Sequence, residues 1–220
     1  MRLGIVTATR NRFDSYHRLL VSLKNTTTQS DVFVGVEEDD PQLDKYLSLR
    51  DQNVFICVVK RSNTVTVTNT LVDRAIVTCD YVIGIPDDMI MKKAEWDEEL
   101  IKEFQKYTDN IMFLSLMSDM TKNDGYLIAT TRKVCQLMGH YMWPNFEHYH
   151  ADTWIINIAQ NVGRYRVLPN YDFTHDHKED ATKQQRIRDG HVHIVADEFR
   201  CSNEAMQHNY LVKLLRDHIV

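Results

Sequence analysis

The segment CDYVIGIPDDMIM, residues 79–91, runs from a short apolar stretch straight into two adjacent carboxylates, Asp87 and Asp88. The apolar stretch, residues 81–85, is brief and β-branched, which marks a buried strand rather than a helix. Met89, Ile90 and Met91 resume the apolar character directly after the acids. Carboxylates at the carboxyl end of a buried strand stand where open α/β sheets bind their ligands. A pair of acids there attracts a hard divalent cation, which in turn grips phosphate oxygens. The competing account is a solvated Pro-Asp-Asp turn with no chemical task.

Toward the N-terminus the elements alternate. Residues 3–7, 31–36 and 54–59 read as strands. Between the first two, Asp14 or Ser15 can cap a helix with Tyr16, Leu19, Leu20 and Leu23 on one face. Pro41 suits the first turn of a short helix to residue 50. Leu71, Val72, Ala75 and Ile76 mark a helix before the 81–85 strand. Residues 94–107 form an amphipathic helix with Trp96, Leu100, Ile101 and Phe104 on one side. This β-α-β-α-β-α-β order implies a mostly parallel central sheet covered by helices on both faces. Further strands are expected at residues 111–117, 126–130 and 165–168, and helices at 132–138, 153–161 and 204–219. Residues 172–197 are polar and expected to be irregular.

At 220 residues the chain is long enough for one domain with a sizeable core. Its 43% hydrophobic and 26% charged residues are ordinary for a soluble protein. A net charge of −5 argues against strong non-specific nucleic-acid binding. The densest basic stretch, KQQRIR at residues 183–188, is flanked by acids and reads as a solvated face. Cys57, Cys79, Cys135 and Cys201 are widely spaced without a CxxC pair, so they are expected to be reduced and the location cytoplasmic. No signal peptide or membrane-length apolar run is expected, leaving only peripheral membrane contact. The first turn, TATRNR at residues 7–12, has no glycine. Neither a dinucleotide fingerprint nor a P-loop is present, which disfavours hydride transfer and P-loop phosphoryl transfer.

Four stretches taken together resemble the GT-A fold glycosyltransferases, particularly the large inverting (family 2-like) class that uses nucleoside-diphosphate sugars. They are LGIVTATRNR, VFVGVEEDD, NTLVDRAIVTCDYVIGIPDDMIM and HADTWIINIAQNVGRYRVLP, in that order. The resemblance reaches about residue 177. It implies a single GT-A domain over residues 1–220, with a nucleotide-sugar half at 1–91, an acceptor and catalytic half at 92–178 and a C-terminal extension at 179–220. It also implies transfer of a sugar, with inversion, from a nucleoside-diphosphate sugar to a hydroxyl acceptor. UDP is the expected nucleotide, being the commonest in that class, and Mn²⁺ or Mg²⁺ the expected cofactor.

The resemblance distributes roles over the residues. Thr7, Ala8, Thr9, Arg10 and Arg12 would line the nucleotide; the two arginines could neutralise phosphate or simply lie on the surface. Asp39 or Asp40 would meet base or ribose, unless both only form an acidic turn before a helix. Asp73 could touch the nucleotide or belong to a polar helix face with Asn69. Asp88 is the expected metal ligand and Asp87 a ribose or second metal contact. Pro86 stands where the class often has another acid.

Asp152 is the candidate base, since a weak hydroxyl nucleophile gains from a carboxylate that takes its proton. It is equally a natural N-cap for the helix after it. A late histidine commonly completes the metal site in the class. His175 and His177 are spaced to share one side of an extended chain, and imidazole suits manganese better than calcium. The loop at residues 141–149 holds Tyr141, Trp143, Phe146 and Tyr149, either as a sugar platform or as buried core. The acceptor is left open: a saccharide, a lipid-linked glycan, a protein or a hydroxymethylated nucleic-acid base. Two rivals stand beside this reading. One is a metal-dependent hydrolase built on the pairs His148/His150, His175/His177 and His191/His193. The other is an inactive nucleotide-sugar-binding module.

Overall fold

The computed structural model describes residues 1–117, 127–147, 150–176 and 205–220. Its centre is a seven-stranded sheet. The chain runs β1 (Leu3–Thr9), α1 (Phe13–Thr26), β2 (Ser30–Glu37), α2 (Leu43–Leu47), β3 (Val54–Val59), α3 (Thr64–Ala75) and β4 (Tyr81–Gly84). It continues through β5 (Met89–Met91), α4 (Trp96–Phe104), β6 (Phe113–Leu116), β7 (Leu127–Thr131), α5 (Arg132–Met138), α6 (Ala151–Val162), β8 (Tyr165–Leu168), β9 (Phe173–His175) and α7 (Ala205–Arg216). The sheet order is β3-β2-β1-β4-β7-β6-β8. Pairs β1/β2, β2/β3, β1/β4 and β6/β8 are parallel, while β7 runs against both β4 and β6. The mostly parallel α/β sheet read from the sequence is the one observed.

Two apolar layers sandwich this sheet, because alternate residues of each strand face opposite ways. Leu3, Ile5, Val34, Tyr81 and Ile83 join Tyr16, Leu19, Trp96 and Phe104 on one side. Val6, Phe33, Val82 and Ile128 join Leu71, Val72, Trp154 and Leu215 on the other. Gly35 and Gly4 let α3 lie close: a Cβ at Gly35 would stand 2.5 Å from a Val67 methyl, and one at Gly4 2.9 Å from the Ala75 Cβ. No described helix is long and apolar enough to cross a membrane.

Three segments bear on the sequence expectation. The β-branched run TVTVTNT forms the first turns of α3. Asn63 starts it by accepting the Thr66 N–H at 2.8 Å, and buried Val65, Val67 and Thr68 hold it. Here packing of an apolar face overrides a weak local preference. The acids Asp87 and Asp88 lie in a turn closed by Met89 N–H to the Pro86 carbonyl at 3.2 Å. Within the stretch expected to be irregular, Phe173–His175 is a strand. It pairs antiparallel with β5, Met89 opposite His175 and Met91 opposite Phe173.

Candidate functional site

The carboxyl ends of β1, β2 and β4 open onto one edge of the sheet. β4 hands over to Ile85, Pro86 and then the two acids. The Thr7 hydroxyl donates to the Ile85 carbonyl at 2.9 Å, which ties this exit to β1. Two residues on, the Thr9 hydroxyl donates to Asp87 Oδ2 at 2.7 Å. Asp87 is 4% exposed, and its other oxygen lies 2.9 Å from Arg12 Nη1. The same guanidinium donates through Nη2 to Asp88 Oδ2 at 2.7 Å. One arginine therefore forks across both acids.

The β5/β9 ladder delivers the remaining partner. Its register continues one step past the strands, with Asp176 N–H bonded to the Asp88 carbonyl at 2.7 Å. His175 Nε2 consequently sits 2.8 Å from Asp88 Oδ1. Burial alone would raise the Asp88 carboxyl, but hydrogen bonds from His175 and Arg12 outweigh it and hold the group well below the usual carboxylate range. Asp88 is a carboxylate at every ordinary pH. Arg18 reaches Asp176 at 3.0 Å and adds a second arginine to this edge.

Backbone geometry fixes Arg12. Asn11 has a left-handed φ of 50°, and its N–H donates to Asp40 Oδ2 at 2.7 Å. The Arg12 N–H donates to the Tyr46 hydroxyl at 3.2 Å, and that hydroxyl lies 3.3 Å from Thr9 Oγ1. Burial pushes the Tyr46 phenol up to about 12, so it remains protonated. Tyr46 was not among the sequence candidates; it had the signature of a core aromatic on a short helix.

The other sequence candidates separate clearly. Asp39 is exposed and held by Arg10 at 2.8 and 3.2 Å, with Arg61 at 3.8 Å. Arg10 also pairs with Glu37, a buried acid ending β2 that the sequence reading passed over within its VEEDD run. Asp40 is buried and bonds the N–H groups of Asn11 and Gln42, so it shapes the loop. Ala8 is partly buried against the α3 side of the sheet. Asp73 is exposed on α3, where its charge is felt by Cys135. Asp152 is exposed in the first turn of α6; the cap position belongs to His150 instead, and Asp152 Oδ1 accepts the Thr153 N–H at 2.8 Å. Its charge reaches Tyr141. His177 lies outside the described residues, as do Tyr149, His148 and the His191/His193 pair. In the aromatic loop, Tyr141 and Phe146 are buried core, while Trp143 is half-buried and stacks on Trp154 at 5.2 Å.

Asp88 and His175 are a described pair that could hold a divalent cation. Cis ligands of an octahedral ion lie about 3 Å apart when each bond is about 2.1 Å. The 2.8 Å between Asp88 Oδ1 and His175 Nε2 meets that requirement, and an oxygen-plus-imidazole set suits manganese. Among the described residues no group of three His, Cys, Asp or Glu side chains is placed to hold a metal ion. The two ligands would thus need phosphate or water oxygens to complete a shell, as magnesium-type sites commonly do.

Neither protein-family models nor curated proteins give a match to this chain. Solved structures do. S. aureus TarS 1-349 in complex with UDP superposes with a TM-score of 0.61 at 14% identity, covering 79% of this chain and 59% of that one. The mannosyltransferase PcManGT from Pyrobaculum calidifontis, in complex with GDP-Man and Mn²⁺, gives 0.63 at 13% identity over 99% of this chain and 73% of its own. GalNAc-T7 with UDP, GalNAc and Mn²⁺ gives 0.61 at 11% identity over 78% of this chain and 44% of that one. The present chain thus spans under two thirds of the TarS fragment. At these identities the likeness speaks for architecture, and with the β3-β2-β1-β4-β7-β6-β8 sheet it establishes that this chain has the GT-A glycosyltransferase fold.

Proposed function

We propose that this protein is a metal-dependent glycosyltransferase that moves a sugar from a nucleoside-diphosphate sugar, UDP-linked, to a hydroxyl acceptor with inversion. The observation that carries this reading is the Arg12–Asp87–Asp88–His175 cluster at the carboxyl end of β4. Acidic and basic groups meet there at the sheet edge where a nucleotide would lie. PcManGT and GalNAc-T7, which carry Mn²⁺ with their nucleotides, support the same class of cofactor.

In this reading Asp88 and His175 hold Mn²⁺ or Mg²⁺. When bound, the cation supplies Lewis-acid neutralisation of charge on the departing diphosphate. Thr9 orients Asp87 toward the ribose. Thr7 and Ala8 set the floor beneath the nucleotide, and Arg10 with Asp39 faces its base. Asp152, at the solvent-facing start of α6, accepts the proton of the acceptor hydroxyl. Half-buried Trp143, stacked on Trp154, offers an aromatic face to a sugar acceptor.

A thermal-shift panel of nucleoside diphosphates and their sugars, with and without Mn²⁺, tests the proposal. UDP or a UDP-sugar is expected to raise the melting temperature, and to need Mn²⁺ for its full effect. No shift with any nucleotide under either condition would sink it.

A further inference from the structure

Every carboxylate oxygen of the Asp87–Asp88 turn is engaged by this chain's own groups. Asp87 Oδ2 takes the Thr9 hydroxyl and Oδ1 faces Arg12 Nη1. Asp88 Oδ2 takes Arg12 Nη2 and Oδ1 faces His175. The Arg12 side chain is 8% exposed and the side chains of its two acids 5% and 12%, so the charges are poorly screened. Arg12 is a full positive charge that bridges these two neighbouring carboxylates.

From this geometry we propose that Arg12 is an internal cation competing with the divalent metal for Asp88, and that the diphosphate of the donor relieves the competition. The inference rests on the nucleotide-sugar reading above and deepens it. A metal ion approaching Asp88 meets a fixed positive charge already bonded to Oδ2. A diphosphate offers the guanidinium a better match, because planar bidentate donors favour phosphate oxygens. The loop backbone is pinned by Asp40 and Tyr46, so the side chain is the part left to move. Once Arg12 turns to phosphate, Asp88 and His175 are released as a ligand pair. Each ligand therefore tightens the other, and the coupling is reciprocal.

The test is a Mn²⁺ titration read by the EPR signal of free Mn²⁺, with and without UDP, on the full chain. Arg12→Gln is expected to bind Mn²⁺ alone on the order of ten-fold tighter than wild type, and UDP is expected to tighten Mn²⁺ less in that variant. Direct metal–phosphate contact survives the substitution, so some UDP effect persists. Arg12→Lys keeps the charge, and with it the fold, but cannot fork across both acids; it should fall between the two. Circular dichroism confirms which variants fold, and Arg12→Lys carries the test by itself if Arg12→Gln does not. Wild type that binds Mn²⁺ and UDP while the folded variants bind Mn²⁺ alone no tighter would overturn the role of Arg12 alone. Wild type that binds neither would overturn the nucleotide-sugar reading and this inference with it.

Discussion

The Tyr141 hydroxyl accepts the Gly84 N–H at 3.2 Å and donates to the Ile128 carbonyl at 2.5 Å, taking the place of the next rung between β4 and β7. The ladder between these strands runs as far as Ile83 opposite Ala129. Beyond the inserted hydroxyl β4 stays with β1, through the Ile85 N–H and the Val6 carbonyl at 3.0 Å, and leaves β7. The Pro86–Met89 turn starts two residues later. Gly84 permits this wedge, since a Cβ there would meet the Tyr141 oxygen at 3.3 Å. Asn69 seats the wedge by accepting the N–H groups of Tyr141 and Met142 at 3.1 and 2.8 Å.

Tyr141→Phe keeps the ring and removes the hydroxyl, stranding a half-buried donor on Gly84 and a buried acceptor on Ile128. A loss of about 1–3 kcal/mol in unfolding free energy is expected. Urea denaturation measures it. A loss below about 0.5 kcal/mol would mean that β4 and β7 close the gap by themselves.

Asp97 pins a loop on the opposite side of the sheet edge. It is fully buried, and its Oδ2 accepts the N–H groups of Thr28 and Gln29 at 3.0 and 2.8 Å and the Ser30 hydroxyl at 2.8 Å. Asp97→Ala strands three donors at once and should cost about 3 kcal/mol or more. Asp97→Asn keeps one acceptor oxygen in place and should cost less. Equal losses in the two variants would show that the cavity, not the acceptor, sets the energy.

The sequence carried the parallel half of the fold well, because residues 3–7, 31–36, 54–59 and 81–85 are short, largely apolar runs separated by helical periodicity. It also placed Asp87 and Asp88 at a strand end. It did not carry β9, since three residues reading Phe-Thr-His have no periodicity to detect and their partner β5 lies more than eighty residues earlier. For the same reason spacing could nominate His175 but not tell that it meets Asp88. The fork of Arg12 is equally long-range: its acids lie about 75 residues away, brought near by β1/β4 pairing. Tyr46 and Glu37 were invisible because a buried phenol and one acid in a run of four look like core and surface.

Asp88→Asn should abolish glycosyl transfer while leaving the melting temperature within a few degrees of wild type. The amide keeps the shape of the side chain and can still meet Arg12 through its oxygen, but it loses the charge that holds both Arg12 and a cation. Activity and thermal unfolding are measured on the same preparation. Wild-type turnover in this variant would remove Asp88 from the mechanism.

Asp152→Asn should behave differently. Exposed in the first turn of α6, Asp152 makes no ion pair among the described residues, so stability should move by no more than about 0.5 kcal/mol. Nucleotide binding should persist, and transfer should fall by on the order of 10²–10⁴-fold. Isothermal titration with UDP and Mn²⁺, set beside a transfer assay, separates the two effects. Undiminished transfer would rule out Asp152 as the base.

His140 predicts a pH dependence of stability. It is 8% exposed, packed against Trp143 at 5.0 Å and Trp154 at 6.1 Å, and burial lowers its pKa to about 4. The unfolded chain has an ordinary value of about 6.5. Between these values the unfolded state binds the extra proton, so stability rises with pH. The contribution is fully present above about pH 6.5 and is lost as pH falls toward 4, amounting to about 2 kcal/mol between pH 7 and pH 5. His140→Phe keeps an aromatic ring without a titrating group. Urea unfolding of both proteins at pH 7 and pH 5 should therefore show the variant losing about 2 kcal/mol less than wild type over that interval. Equal losses would mean that His140 is protonated in the folded protein as readily as in the unfolded chain.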